Sequence, residues 1–318
     1  MINVGGTMKK IVRSIIAIMA CALFISGFAA EGEIIFSGRI FKWVNPFTED
    51  MVLPSGVHHK TFFSQSMRQD VGYAIYLPPS YEENVSQRFP VVYYLHGGRP
   101  GSESRSVQLT NLIHENILNE KTPPAIYVFI NGGVISHYNY APLNSMGEDL
   151  FVRELIPHID STYRSVATRE GRAIQGFSQG GRGTTRIMFK HPELFSSAAA
   201  GGPGYAVEKQ IYENSGVELD TRREDASSFD FGEGNDAYSL AKIYAENGVP
   251  ALKIAIWIGT EGFNYRPTLD YMQFLDSLGI DYKSYVVGGV DHNPSKLYES
   301  IGAELMNFHA NSFGETGE

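Results

Sequence analysis

Apolar runs recur along the chain, and most of them are apolar on both faces rather than alternating with polar positions. The run from Val91 to Leu95 is of this kind, as expected for a central strand of a parallel sheet. Residues 71–77 alternate, are rich in strand-forming residues and end at Pro78-Pro79. Further strands are predicted at 125–130, 172–175, 197–200, 253–258 and 282–287. The stretch from 41 to 69 is polar and rich in turn-forming residues, which predicts no strand there.

Helical patterns lie between these strands. Ser145 and Glu148 have the spacing of a capping box, and the helix that they open would place four apolar residues on one face: Phe151, Leu155, Ile156 and Ile159. Further helices are predicted at 179–190, 267–278 and 294–309. Strands that alternate with helices predict an α/β fold, in which helices cover both faces of a mostly parallel sheet. The region 201–248 is irregular and glycine-rich, which suits a wall over a site.

The N-terminus has the pattern of a secretory signal. Basic residues precede a short apolar run at 15–28, and a small-x-Ala sequence ends at Ala29. We therefore expect a signal peptide at 1–29, a single domain at 30–318, and a secreted or periplasmic protein. Two alternatives are a transmembrane anchor and a lipid attached to Cys21. The apolar run is shorter than the about 20 residues that span a membrane, and it continues past Cys21, so cleavage after Ala29 is favoured.

Composition narrows the possible partners. The net charge is −9, and an acidic surface repels phosphate backbones, so a nucleic-acid partner is not expected. Cys21 is the only cysteine and lies in the signal, which leaves no disulfide and no thiol chemistry. No pattern in the sequence predicts a cofactor or a metal site.

The residues 176–180 match the G-x-S-x-G pattern, with Ser178 at its centre. A predicted strand precedes this pentapeptide and a predicted helix follows it, which is the sharp strand–turn–helix that exposes a nucleophilic serine. The flanking glycines suit a strained and closely packed turn. The context, more than the pattern itself, predicts that Ser178 is a nucleophile.

A serine hydroxyl needs a base, and in this type of site the base comes last in the chain. Among the later histidines, His191 lies at the far end of the helix that follows Ser178, and His309 lies in the terminal helix. His292 follows the last predicted strand and is therefore the predicted general base. Glu261 is the only carboxylate in the loop after strand 253–258, and it is the predicted acid that holds the imidazole.

An oxyanion hole requires backbone N–H groups that point to where negative charge develops. The loop Leu95-His96-Gly97-Gly98 follows a central strand. We expect one donor from Gly98, with Arg99 as the alternative, and a second from Gln179, the residue after the nucleophile.

Aromatic and polar residues in the loops at the strand ends are candidates for the substrate pocket. We expect His137, Tyr138, Phe177 and Tyr205 to bind substrate, because aromatic rings suit a phenolic acyl group or a sugar ring.

Taken together, these stretches resemble the esterase D and feruloyl esterase branch of the α/β-hydrolases, carbohydrate esterase family one. The resemblance extends from about Gly56 to Phe308 and rests on the stretches 76–81, 90–98, 154–157, 176–183, 191–195 and 288–292. It implies an α/β-hydrolase fold, a serine esterase that acts on a small-molecule or polysaccharide-linked ester, and the roles given above for Ser178, His292, Gly98 and Gln179.

One position departs from this family. Its members usually carry an aspartate after the Gly-Thr-x of the acid loop, whereas here that place is Gly262 and the carboxylate is one residue earlier, at Glu261. Export favours feruloyl or acetyl esters of carbohydrate, with siderophore esters or acyl transfer as alternatives. A binding protein with weakened catalysis on the same scaffold is the alternative from another class.

Overall fold

The computed structural model describes residues 34–36, 39–203, 232, 234–247 and 250–314, together with the backbone of 217–219 and 228–230. The predicted signal peptide and Tyr205 lie outside these residues. The strands are β1 (Ile34–Phe36), β2 (Arg39–Phe41), β3 (Val57–Ser64), β4 (Gln69–Tyr76), β5 (Val91–Leu95), β6 (Ile126–Ile130), β7 (Asn139–Tyr140), β8 (Ser145–Met146), β9 (Arg172–Phe177), β10 (Ser197–Gly201), β11 (Val217–Leu219), β12 (Ser228–Asp230), β13 (Lys253–Gly259) and β14 (Lys283–Val287).

The α-helices are α1 (Ser80–Glu83), α2 (Thr110–Leu118), α3 (Gly147–Asp149), α4 (Ile156–Thr162), α5 (Gln179–Lys190), α6 (Ala237–Asn247), α7 (Tyr265–Ser277) and α8 (Pro294–Ala310). Short 3₁₀ turns lie at Val107–Leu109, Ala141–Leu143 and Arg169–Gly171, and a π-helical segment lies at Leu150–Leu155. In the described part of the chain, none of these helices is both long and apolar enough to cross a bilayer.

Eight strands form the central sheet in the order β14-β13-β10-β9-β5-β6-β4-β3. The six strands from β14 to β6 are parallel, whereas β4 pairs antiparallel with β6 and β3 pairs antiparallel with β4. Parallel neighbours end at the same edge of the sheet, so the loops after β5, β9, β10, β13 and β14 lie close together.

Helices cover both faces of this sheet, as β5 illustrates. Val91, Tyr93 and Leu95 pack into a core that includes apolar residues of α5 and α7. Val92 and Tyr94 pack into a second core with residues of α2 and α8. This arrangement is the α/β-hydrolase fold predicted from the sequence.

The predicted strands and helices are present, with small shifts at their ends. Strand β3 and helices α2 and α6 are the longest of the elements that the sequence did not predict. Strand β3 falls in the polar, turn-rich stretch 41–69. It lies at the edge of the sheet and is largely exposed, so its residues lack the apolar run that identified the central strands. Helices α2 and α6 were also missed, and each buries only a few of its residues.

The predicted capping box at Ser145 is wrong. Ser145 belongs to the short strand β8, and its hydroxyl accepts a hydrogen bond from the N–H of Val134 at 2.9 Å. Asn139 caps the helical segment instead, because its Oδ1 accepts from the N–H groups of Glu148 (3.1 Å) and Asp149 (3.0 Å). The apolar face predicted for this segment is confirmed, since Phe151, Leu155, Ile156 and Ile159 are all buried.

Candidate active site

Ser178 lies in the sharp turn between β9 and α5. Its backbone has φ 59° and ψ −117°, a strained conformation for a residue other than glycine. The Ser178 N–H donates to the carbonyl of Gly201 at 2.8 Å, and its own carbonyl accepts from the N–H of Arg182 at 3.0 Å. The strand–turn–helix expected around Ser178 is therefore present.

The two glycines of the pentapeptide are required by close backbone contacts. A Cβ on Gly180 would lie 1.9 Å from the carbonyl oxygen of Leu95, and a Cβ on Gly176 would lie 2.4 Å from that of Gly180. These contacts hold the start of α5 against the end of β5. The serine is thus fixed next to the loop that follows β5.

That loop carries the candidate oxyanion donors. A Cβ on Gly97 would be 3.2 Å from the Cβ of Ser178, so the loop passes directly beside the serine. Gly98 has φ +70°, and no described residue accepts a hydrogen bond from its N–H. Gln179 is the first residue of α5, where a backbone N–H has no partner within the helix. Both predicted donors are near Ser178 and available.

His96 is itself part of this loop, and its ring packs against that of the buried His137, with a centroid separation of 4.5 Å. His137 Nε2 donates to the carbonyl of His96 at 3.0 Å, while His96 Nε2 accepts from the N–H of Gly132 at 3.0 Å. Burial lowers the pKa of His137 to about 3 and that of His96 well below its usual range, so both rings are neutral at pH 7 and shape the oxyanion loop.

The expectation that His137 and Tyr138 bind substrate is therefore corrected. His137 is fully buried beneath the oxyanion loop, and Tyr138 is 2 % exposed. The guanidinium of Arg186 stacks on the Tyr138 ring, 3.3 Å from its centroid. His137 thus supports the loop, whereas Tyr138 packs in a separate apolar cluster with Phe41 and Trp43. The aromatic pattern alone could not separate these roles from a place in the pocket.

His292 follows β14 and faces the same cavity as Ser178. Its ring packs between Phe177 and Phe263, each with a centroid separation of 4.5 Å. Burial lowers the pKa of His292, and the nearby Asp291 opposes this effect, so the ring is neutral at pH 7. Within the described residues, no direct hydrogen bond joins Ser178 to His292, and such bonds often tighten only when substrate is bound.

The structure does not bring Glu261 to His292. Glu261 is exposed, and its carboxylate accepts from the hydroxyl of the adjacent Thr260 at 3.3 Å. The Nδ1 atom of His292 contacts Asn264 Oδ1 instead, at 3.1 Å. Asn264 is 3 % exposed, and its amide nitrogen donates to the carbonyl of Gly202.

Sequence reasoning missed this contact because it looked for a carboxylate. The available signal was the place of Asn264, in the loop where the acid was expected and directly before a predicted helix. The prediction that Glu261 holds the imidazole is therefore corrected in this structure.

The cavity has a volume of about 340 Å³ and lies over Ser178, between the oxyanion loop and the loop that carries His292. Its other described lining residues are Arg105, Ser106, Gln108, Leu109, Phe177, Pro294 and Ser295. Phe177, which the sequence predicts to bind substrate, is thus a lining residue of this cavity. Arg105 Nη1 donates to the carbonyl of Gly97 at 2.7 Å and adds a positive charge to the wall of the cavity.

An ionic cluster lies at the far end of α5. The carboxylate of Glu148 accepts from Lys190 at 2.7 Å and from His191 at 3.2 Å, and lies 3.7 Å from the guanidinium of Arg186. Burial favours the neutral acid, but the His191 hydrogen bond and the charges of Arg186 and Lys190 outweigh it and lower the pKa of Glu148 to about 2. His191 is thus far from the serine, as expected.

His309 is also remote from the cavity. Its Nδ1 contacts the hydroxyl of Ser197 at 2.9 Å, and its Nε2 contacts Gln175 Oε1 at 3.1 Å. It is completely buried, so it is a packing residue. In the part of the chain that the structure describes, no three His, Cys, Asp or Glu side chains are grouped so as to hold a metal ion.

Among curated proteins, the chain is similar to one named as a xylanase and feruloyl esterase and to one named as an esterase. The chain is 29 % identical over 147 residues to an endo-1,4-β-xylanase/feruloyl esterase of Xylanibacter ruminicola, covering 44 % of this chain and 20 % of that protein. It is 27 % identical over 143 residues to an esterase of Mycobacterium tuberculosis, covering 44 % of this chain and 30 % of that protein. The chain thus matches less than a third of the length of these relatives.

Solved structures share the fold at low identity. A ferulic acid esterase superposes with a TM-score of 0.67 at 20 % identity, covering 81 % of this chain and 98 % of that one. An S-formylglutathione hydrolase from Staphylococcus aureus gives a TM-score of 0.60 at 17 % identity, covering 82 % and 100 %. A ferulic acid esterase from Anaeromyces mucronatus, solved with ferulic acid, gives 0.58 at 20 % identity, covering 85 % and 94 %.

The family model described as "Putative esterase" matches residues 64–277, which is more than half of the chain. This match spans the oxyanion loop, the turn at Ser178 and the loop at Asn264, and it agrees with the resemblance found in the sequence. The chain belongs to this esterase family, on an α/β-hydrolase fold.

Proposed function

We propose that this chain is an exported serine carboxylic-ester hydrolase that acts through an acyl-enzyme on Ser178. The observation that carries the proposal is that one cavity is lined by the strained Ser178, by His292 and by the oxyanion loop at Gly98. Nucleophile, base and electrophilic donors are thus within reach of a single bound carbonyl group.

The chemistry follows from this arrangement. Ser178 Oγ attacks the ester carbonyl while His292 Nε2 takes its proton, and the N–H groups of Gly98 and Gln179 stabilise the negative charge on the carbonyl oxygen. The intermediate collapses, the alcohol leaves with the proton from His292, and an acyl-serine remains. Water, deprotonated by His292, then hydrolyses the acyl-enzyme and restores the serine.

The substrate class proposed is a feruloyl or acetyl ester of a carbohydrate. A cavity of about 340 Å³ is at the small end of the about 300–1,000 Å³ that ligand sites occupy, which suits one aromatic or acetyl group better than a long lipid chain. Phe177, Leu109 and Pro294 offer apolar contact to such a group. The names of the xylanase/feruloyl esterase relative and of the ferulic acid esterase neighbours support the same class.

Hydrolysis of p-nitrophenyl acetate by wild type and by Ser178→Ala tests the proposal. The variant should lose at least about 10³-fold in kcat, because removal of the nucleophile leaves only the oxyanion hole and binding. Ser300→Ala is the matched control, since Ser300 is exposed on α8 and lies outside the cavity. Equal rates for wild type and Ser178→Ala would reject the esterase and leave a binding protein on this scaffold.

Substrate comparison then separates the possible esters. We expect higher kcat/KM for methyl ferulate or acetylated xylan than for a catecholate siderophore ester. A preference for the siderophore ester would move the assignment to that class. Transfer of the acyl group to an added alcohol in place of water would indicate an acyltransferase.

The proposal of export rests on the basic and apolar pattern of residues 1–29. Expression of the full chain in a bacterial host, followed by N-terminal sequencing of the released protein, should give a mature start after Ala29. An unprocessed protein retained in the cytoplasm would contradict export and leave the esterase proposal intact.

A further inference from the structure

His292 has a neutral hydrogen-bond partner at the position where a serine hydrolase usually has a carboxylate. Asn264 Oδ1 lies 3.1 Å from His292 Nδ1. We propose that Asn264 is the positioning residue for His292, so that the chain works with an uncharged Ser178-His292-Asn264 arrangement. This inference rests on the proposed function and concerns how the same site is built.

The orientation of the Asn264 amide is fixed by its second contact. Its nitrogen donates to the carbonyl of Gly202, and a carbonyl oxygen can only accept. Oδ1 must therefore face His292, and Nδ1 of the imidazole must carry the hydrogen. The lone pair is then left on Nε2, which is the tautomer that a general base for Ser178 requires.

Because of this second contact, Asn264 differs from an asparagine that merely replaces the catalytic aspartate. In serine proteases, exchange of the buried aspartate for asparagine lowers kcat about 10⁴-fold, because the imidazole is left in the wrong tautomer. Here the carbonyl of Gly202 holds the amide nitrogen away from the imidazole. Cysteine proteases with a Cys-His-Asn arrangement show that an amide can orient an imidazole for catalysis.

The side chain of Asn264 does not make the contacts that are usual at its position in the fold. It directly precedes α7, where an asparagine side chain ordinarily caps the helix by accepting from the first backbone N–H groups. Asn264 makes no such cap. Its side chain is turned to His292 and Gly202 instead, and Phe177 and Phe263 pack on the ring that it holds.

Gly262 leaves room for this arrangement. A Cβ at position 262 would lie 2.9 Å from Asn264 Oδ1, so a side chain there would compete for the same space. An aspartate at 262 would bring its carboxylate to the region that Asn264 Oδ1 now fills. Because position 262 is a glycine, the Asn264 amide is the group that contacts His292.

The charged groups near His292 do not replace a carboxylate partner. Asp291 is adjacent in the chain and is 3.4 Å from Lys296, and Glu261 contacts Thr260. Arg105 is the cation that lines the same cavity. A neutral partner on Nδ1 does not stabilise the imidazolium, so His292 remains an unprotonated base to lower pH than one paired with a carboxylate.

The test is the pH profile of kcat/KM for p-nitrophenyl acetate in four proteins: wild type, Asn264→Asp, Asn264→Ala and Glu261→Gln. In Asn264→Asp a carboxylate raises the pKa of His292, so the acidic limb should move up by at least about one pH unit. Asn264→Ala should lose about 10²-fold in kcat with little change in KM, because the imidazole is no longer oriented. Glu261→Gln should stay within about threefold of wild type.

The proposal would be overturned if the acidic limbs of wild type and Asn264→Asp coincided, or if the kcat of Asn264→Ala stayed within threefold of wild type. It would also be overturned if Glu261→Gln lost as much kcat as Asn264→Ala. Asn264→Asp keeps the shape of the side chain, so its profile decides even where Asn264→Ala does not fold. Ser178→Ala separates the two levels: activity that needs Ser178 but not Asn264 defeats this inference alone, and activity that does not need Ser178 defeats the proposed function.

Discussion

The backbone conformation of Ser178 depends on the absence of a Cβ atom at the neighbouring glycines. The residue is held at positive φ because β9 must turn into α5 within one residue, and the flanking glycines leave no space for a Cβ. The strain is maintained by the hydrogen bond to Gly201 and by the packing of α5 against β5 and β9. That the half-buried Ser178 lines the cavity is therefore a consequence of backbone packing as much as of the serine itself.

We expect Gly180→Ala to lower kcat/KM at least about 10²-fold, because the added Cβ would lie 1.9 Å from the Leu95 carbonyl and must displace Ser178, the proposed nucleophile, from the loop that follows β5. Gly288→Ala is the control, since a Cβ there meets nothing within 4 Å. Steady-state kinetics with p-nitrophenyl acetate measures both variants. Wild-type kinetics in Gly180→Ala would show that the turn tolerates movement and is not what positions Ser178.

At the scale of elements, the sequence was most informative where strands are buried on both faces. The apolar runs of β5, β6 and β13 predict central parallel strands, and the structure confirms them. Edge strand β3 carries polar residues toward solvent, so hydropathy could not separate it from a loop. The helix start predicted at Ser145 is wrong because its hydroxyl accepts a hydrogen bond from the Val134 N–H and does not cap a helix.

The residues of the candidate site also differ in whether the sequence could place them. Ser178, Gly98, Gln179 and His292 are tied to strand ends, and the order of strands along the chain was enough to bring them together. The contact of Asn264 depends on the turn at 262–264 and on the carbonyl of Gly202 from another strand end. Residue type favoured Glu261, and only the folded loop shows which side chain faces the imidazole.

The cluster at Glu148 joins α3 to α5 and supplies a prediction at this scale. Glu148→Gln should lower the free energy of unfolding by about 3 kcal/mol or more, because the buried Arg186 loses its ionic partner. Glu193→Gln is the matched control: Glu193 also faces His191, at 3.6 Å, but it is 60 % exposed, so its loss should cost no more than about 0.5 kcal/mol. Urea denaturation measures both, and equal losses would contradict a structural role for Glu148.

On the scale of the whole molecule, buried neutral histidines link distant parts of the fold to pH. His96 lies in the oxyanion loop, His137 donates to its carbonyl, and His309 joins α8 to β9 and β10 through Gln175 and Ser197. Burial lowers the pKa of each ring. The unfolded chain therefore binds protons that the folded chain excludes, and stability falls as pH decreases below the usual imidazole pKa of about 6.5.

His309 allows this dependence to be tested away from the active site, because burial lowers its pKa to about 3. Between about pH 6 and pH 4, one such histidine should reduce the free energy of unfolding by up to about 1.4 kcal/mol per pH unit. His309→Gln, which cannot take up a proton, should flatten the measured slope by about that amount even if it is less stable at pH 7. His58→Gln makes the same substitution at an exposed position and is the control for the substitution itself. Parallel slopes for wild type and His309→Gln, from urea denaturation at several pH values, would show that other groups drive the acid sensitivity of the fold.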